Sequence, residues 1–126
     1  MKSILILLPA AIHVYIFIME SFLWGKARTN RTFGITAEEA KTTKSLAFNQ
    51  GFYNLFLALA IVVGWGLNTF SVLAAAGPTA GTVLAGFGLC AIILAGLVLL
   101  LSAPRLFRSA LFQIVPAAAG LLALLL

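Results

Sequence analysis

Four apolar runs, at residues 3–24, 46–67, 82–102 and 109–126, take up most of this 126-residue chain. A helix rises about 1.5 Å per residue, so even the shortest run reaches about 27 Å, close to the ~30 Å hydrocarbon core of a bilayer. Hydrophobic residues make up 63% of the chain and charged residues 9%, with a mean hydropathy of +1.14. A soluble domain carries about 25% charged residues, so this chain cannot cover its apolar surface with polar side chains. Lipid must be its solvent. The expected fold is all-α, a transmembrane four-helix bundle, with residues 1–126 forming one domain.

The boundaries of the runs carry local signals. Ser3–Trp24 is interrupted only by Pro9, His13 and Glu20 and is preceded by Lys2. It exceeds the roughly 7–15 apolar residues of a signal peptide and lacks a small-x-small cleavage site, so it is expected to be retained as a span. Pro9 removes a backbone hydrogen bond and is expected to bend that helix. Gly25–Ser45 is the only long hydrophilic segment, and Thr36-Ala-Glu-Glu39 within it fits a capping box. The spacing predicts a helix that starts near Ala37 and runs without a break into the second span. Asn68–Gly81 is expected to be a loop with Gly77-Pro78 as its turn. Gly77 and Gly81 have GxxxG spacing, but the intervening Pro78 argues for loop over a dimer motif. In the third span Ala91, Ala95 and Gly96 offer a small face for close packing, and Pro104 ends that span.

Charge sets the expected orientation. Seven of the eight Lys and Arg residues lie in the two connections on one side of such a bundle, and Lys2 alone lies on the other. The positive-inside rule predicts a multi-pass inner-membrane protein with both connections in the cytoplasm and both termini outside it. The net charge of +5 therefore belongs beside anionic lipid, and nucleic acid is not an expected partner. Cys90 is the only cysteine, so no internal disulfide forms.

Ala47-Phe-Asn-Gln-Gly-Phe-Tyr-Asn54 opens the second span with polar groups where apolar ones are usual. With helices running in alternate directions, Glu20, Gln50 and Gln113 each fall about 6 Å inside the same end, at 1.5 Å per residue. Asn49 lies beside them, and Asn54 and His13 reach deeper. His13, Phe17, Glu20 and Trp24 follow helical spacing, as do Gln50, Tyr53 and Asn54. Polar side chains within a span avoid lipid, because unmet hydrogen bonds cost several kcal/mol, so these groups should turn inward toward one another. Asn and Gln can also serve as interhelical glue worth about 0.6–2 kcal/mol each, and His13 as a satisfied core histidine. An intramembrane carboxyl such as Glu20 marks a functional site by default. It could alternatively pair with Arg105 or Lys26 as a structural counter-ion. Trp24 and Tyr53 also suit an interfacial belt. One His, one Cys and one intramembrane carboxyl make no metal set, and neither a phosphate-binding loop nor a nucleophile–base pair is present. No metal or cofactor is expected.

His-Val-Tyr-Ile-Phe-Ile-Met-Glu with Trp24, Ala-Phe-Asn-Gln-Gly-Phe-Tyr-Asn, and Gln113-Ile-Val-Pro116 together resemble the family called domain of unknown function 1304, over nearly the full length. That resemblance implies a small four-helix integral membrane protein and no particular substrate. Ala47, Gln50 and Asn54 also fall at spacings similar to the second-span string of the membrane-associated proteins of eicosanoid and glutathione metabolism. Phe48 stands where that string has His and Tyr53 where it has its second Glu, which removes much of the charge that binds glutathione in that family.

Three functions follow as expectations. The first is binding or transport of a small polar or protonatable molecule, with Glu20 as charge-bearing group and Gln50, Asn54, Gln113, Asn49, Tyr53 and His13 around it. The second is a membrane enzyme on a lipophilic substrate, with Glu20 as general base and Tyr53 as donor. The third is a structural protein whose polar cluster is glue. Four short helices enclose little volume, so a pore is expected to require a homo-oligomer.

Overall fold

The computed structural model describes residues 1–70 and 77–126, with the side chains of residues 77–79 excluded. Four long helices form the bundle: α1 (Lys2–Ser21), α4 (Lys44–Phe70), α5 (Gly77–Ser102) and α6 (Phe107–Leu125). Two short helices, α2 (Ala27–Phe33) and α3 (Ala37–Thr42), join α1 to α4, and a 3-10 turn at Pro104–Leu106 joins α5 to α6. The described residues contain no strand, and the four long helices are all long and apolar enough to cross a membrane. α1 packs on α4 and α6, and α5 packs on the same two, closing a ring. The fold is all-α, as expected.

Ile6 and Ala10 of α1, Ala58 and Ile61 of α4, Leu89 and Ile92 of α5, and Ala117 of α6 make the buried core. Phe56, Val63, Leu94, Val98 and Leu101 point outward and are exposed. That reversal of the soluble pattern suits a lipid-facing exterior. Small residues let the helices meet closely. A Cβ placed on Gly64 of α4 would fall 2.5 Å from the Ala85 backbone nitrogen and 2.6 Å from the Gly81 carbonyl oxygen of α5. Pro9, inside α1, has no N–H to offer the Leu5 carbonyl. The Leu5 oxygen instead faces α6, where a Cβ on Gly120 would come within 2.8 Å of it.

Several local expectations are corrected. The capping box exists in full: Glu39 N–H donates to Thr36 Oγ1 at 3.2 Å, and Thr36 N–H to Glu39 Oε2 at 2.7 Å. The helix it starts does not run unbroken into the second span, because Thr43 separates α3 from α4. Thr42 and Thr43 both donate their hydroxyls to the Glu39 carbonyl, at 3.0 and 2.6 Å. Such back-bonding competes with the helical ladder at its last turn. The expected loop at Asn68–Gly81 is shorter than supposed, since Asn68–Phe70 and the backbone from Gly77 onward are helical. Pro78 sits at the second residue of α5, where its missing N–H costs nothing. Residues 71–76 lie outside the described set. The buried face of α5 carries Gly81, Ala85, Gly88, Leu89, Ile92 and Gly96. Of the three small residues singled out from sequence, only Gly96 is buried.

Candidate functional site

Glu20 lies one residue before the end of α1, so the geometry of its neighbours decides what it can do. It is 7% exposed, and its Oε2 accepts a hydrogen bond from Asn54 Nδ2 at 2.7 Å. Asn54 also donates to the Gln50 carbonyl one turn back, at 3.2 Å, which aims its carboxamide at α1. The two helices come close enough for this because Gly51 faces Phe17 and Ser21, and a Cβ there would be 3.1 Å from the Phe17 carbonyl oxygen. Ser21 Oγ donates to the Phe48 carbonyl at 3.2 Å across the same crossing. Among the described residues the one ion pair is the exposed Lys41–Glu38 contact of 3.2 Å. Glu20 is therefore not a counter-ion to Arg105 or Lys26. Arg105 lies instead toward Glu39, adding a smaller attraction to the Thr36 backbone hydrogen bond that chiefly holds the Glu39 carboxyl below its usual pKa.

A cavity of about 590 Å³ opens beside Glu20, at the end of the bundle that bears both connections. Ligand sites typically span about 300–1,000 Å³, so this volume suits one small molecule within a single chain. Glu20, Gln50, Asn54 and Gln113 all line it, which unites four of the residues expected from sequence. Its walls are otherwise mainly carbon, with Ile16, Met19, Leu99, Leu106 and Phe112 among them. Sequence reasoning missed Tyr15, Thr32, Phe33, Arg108 and Ser109 on the lining. Phe33 belongs to α2, a helix inside a segment read as hydrophilic connection. It packs edge-on against Trp24 with ring centroids 5.0 Å apart, and Trp24 Nε1 donates to Thr43 Oγ1 at 3.2 Å. These contacts fold the connection over the cavity.

The other three expected residues lie elsewhere. His13 is 1% exposed and does not line the cavity. Its Nδ1–H donates to the Pro9 carbonyl at 3.0 Å. Because a carbonyl can only accept, Nδ1 carries the hydrogen of that bond. Tyr53 is 57% exposed and Asn49 is exposed, and neither lines the cavity. One helical position is a turn of about 100°, so residues flanking Asn54 and Gln50 face outward. No group of three potential metal-ligating side chains occurs among the described residues.

No curated protein and no solved structure matches the chain. A protein-family model described as "Protein of unknown function (DUF1304)" matches residues 7–125, nearly the whole chain. The capped connection, the Glu20–Asn54 bridge and the Gln113 helix all fall inside that match, and the chain belongs to this family.

Proposed function

We propose that the cavity binds, and passes across the membrane, a small molecule with a protonatable or hydrogen-bonding head and an apolar body. One observation carries this reading: a nearly buried carboxyl lines a roomy, mostly carbon-walled cavity without an ion-pairing cation among the described residues. A charged carboxylate in such surroundings is costly unless a cation reaches it, and a bound ligand would supply that cation. Glu20 is the charge-bearing group, Asn54 fixes its orientation, and Gln50 and Gln113 hydrogen-bond the ligand head. Arg108 on the same lining discourages a second cation. Tyr53, exposed on the outer face, has no part in this scheme.

The seven-to-one distribution of Lys and Arg supports an inner-membrane protein whose cavity opens to the cytoplasm. In a Cys90→Ala background, Thr32→Cys should resist an impermeant thiol reagent added outside intact cells, while Lys2→Cys should react. The opposite pattern would reverse the orientation.

Binding is tested with 2-naphthylmethylamine, whose fluorescence reports its surroundings, against the uncharged 2-naphthylmethanol. The amine should bind wild-type protein better than the alcohol, and Glu20→Leu should abolish that preference. Glu20→Gln keeps the shape and the hydrogen bond but cannot ionise. It should lose the preference yet melt close to wild type. A Glu20→Gln protein that melts far below wild type yet keeps full amine binding would overturn the assignment.

A further inference from the structure

A second cavity, of about 300 Å³, lies where α1 ends and α4 begins. Its lining differs from the first. Lys26, from the residue before α2, and Lys44, the first residue of α4, converge on it from separate parts of the chain. Both are exposed, and neither is in an ion pair among the described residues. Phe22 and Phe48 stand beside them, 63% and 48% exposed, at the level where the apolar spans give way to polar connection. The cleft is also braced: Ser21 Oγ ties α1 to the Phe48 carbonyl, and Trp24 is held by Thr43.

Two free ammonium groups and two outward-facing rings at a bilayer boundary match a molecule that is anionic at one end and apolar at the other. We propose that this cleft binds the phosphate of an anionic phospholipid, with Lys26 and Lys44 on the phosphate and the acyl chains along Phe22 and Phe48. Lysine near an anionic leaflet is attracted to it wherever it stands. What distinguishes these two is that they share one cleft with exposed aromatic rings, whereas Lys41 is engaged by Glu38. Glu20 forms part of the cleft wall, but it is nearly buried and bonded to Asn54, so the exposed lysine side receives the anion. A soluble phosphate could use the same ammonium groups but would gain nothing from Phe22 and Phe48.

The test uses Trp24, which lines the cleft. Of the two tryptophans, Trp65 lies far along α4, so Trp65→Phe leaves Trp24 as the sole reporter. The full chain is reconstituted in phosphatidylcholine vesicles containing a minor fraction of phosphatidylglycerol, with bromine on the acyl chains of one lipid or the other. Brominated phosphatidylglycerol should quench Trp24 several-fold more than an equal fraction of brominated phosphatidylcholine. Lys26→Gln/Lys44→Gln should bring the two to parity, with the melting temperature unchanged. Arg28→Gln/Lys41→Gln removes the same charge elsewhere and should keep the preference. Equal quenching by both lipids, or a preference that survives loss of Lys26 and Lys44, would overturn the proposal. So would an equal fall in the Arg28/Lys41 control. Abolition of the preference by inorganic phosphate at constant ionic strength would overturn it too, assigning the cleft to a soluble anion instead.

Discussion

The two halves of this bundle solve opposite problems with the same four helices. In the half where α1 and α5 begin, Gly64 meets Ala85 and Gly81, and Gly120 meets Leu5, so backbones touch and the interior is filled. In the half that bears the connections, Gly51 still brings α1 against α4, but Tyr15, Phe33 and Phe112 line an open space and a cavity of about 590 Å³ remains. Lipid gives helices no hydrophobic reason to associate, so packing against small residues must hold them together. Closing one half completely lets part of the other stay open beside Glu20.

The sharpest way to break this contrast is to add the same bulk to each half. Gly64→Leu forces a side chain against backbone atoms that cannot swing away, and should cost about 3 kcal/mol in reversible unfolding from mixed micelles. Ala95→Leu adds volume beside the cavity, and should cost less than about 1 kcal/mol while obstructing ligand binding. Equal losses would mean that the cavity half is packed as tightly as the other.

A smaller effect is expected from the bridge itself. Asn54→Leu leaves the nearly buried Glu20 carboxyl without its donor and should cost about 1–3 kcal/mol. Adding Glu20→Leu to that variant should recover part of the loss, because no polar group is then stranded. A double variant whose cost equals the sum of the single ones would show that the two side chains act independently.

Smaller still, and confined to the connection, is the effect of Thr36→Ala. It removes the cap of α3 and should cost about 1 kcal/mol of local helix stability, read as faster amide exchange at Glu39–Lys41. The melting of the four long helices should not change. A fall in global melting would mean that the connection is integral to the bundle.

The pH dependence of that cap should be the slightest effect. The Glu39 carboxyl is held below its ordinary pKa of 4.5, first by the hydrogen bond from the Thr36 backbone. A group with a lowered folded pKa stabilises fully above its unfolded value and loses that contribution as pH falls through the folded value. Exchange protection in α3 should therefore be constant from neutral pH down to about 4.5 and decline only below it. Protection that rises on acidification would contradict the cap.

These contrasts also explain what could be seen in the sequence. The four spans followed from length and hydropathy, and Glu20 with Asn54 from the cost of placing polar groups against lipid. The capping box was legible because its two residues act locally. The packing face of α5 was not, because a helix apolar all round gives no sign of which side is inward. Residues such as Ala91 and Gly88 look equally suited to it. Spacing groups Tyr53 with Gln50 and Asn54, and depth adds Asn49, yet interfacial depth lets a phenol or carboxamide face outward beside headgroups. Thr32 and Phe33 were hidden because a tertiary fold, and not a local pattern, brings α2 over the cavity.

Pro9 shows how a defect in one helix can become a fastening for another. The hydrogen that a Cβ would replace on Gly120 points at the Leu5 oxygen, the acceptor that Pro9 leaves unused. A Cα–H can donate weakly to a carbonyl, and such contacts recur where helices touch. Two residues at opposite ends of the chain thereby complete one joint. The imino acid releases the acceptor, and the glycine lets a neighbouring helix of the bundle reach it. Restoring an amide at position 9 would make the Leu5 oxygen divide its lone pairs between its own helix and the glycine at 120, and the joint would weaken.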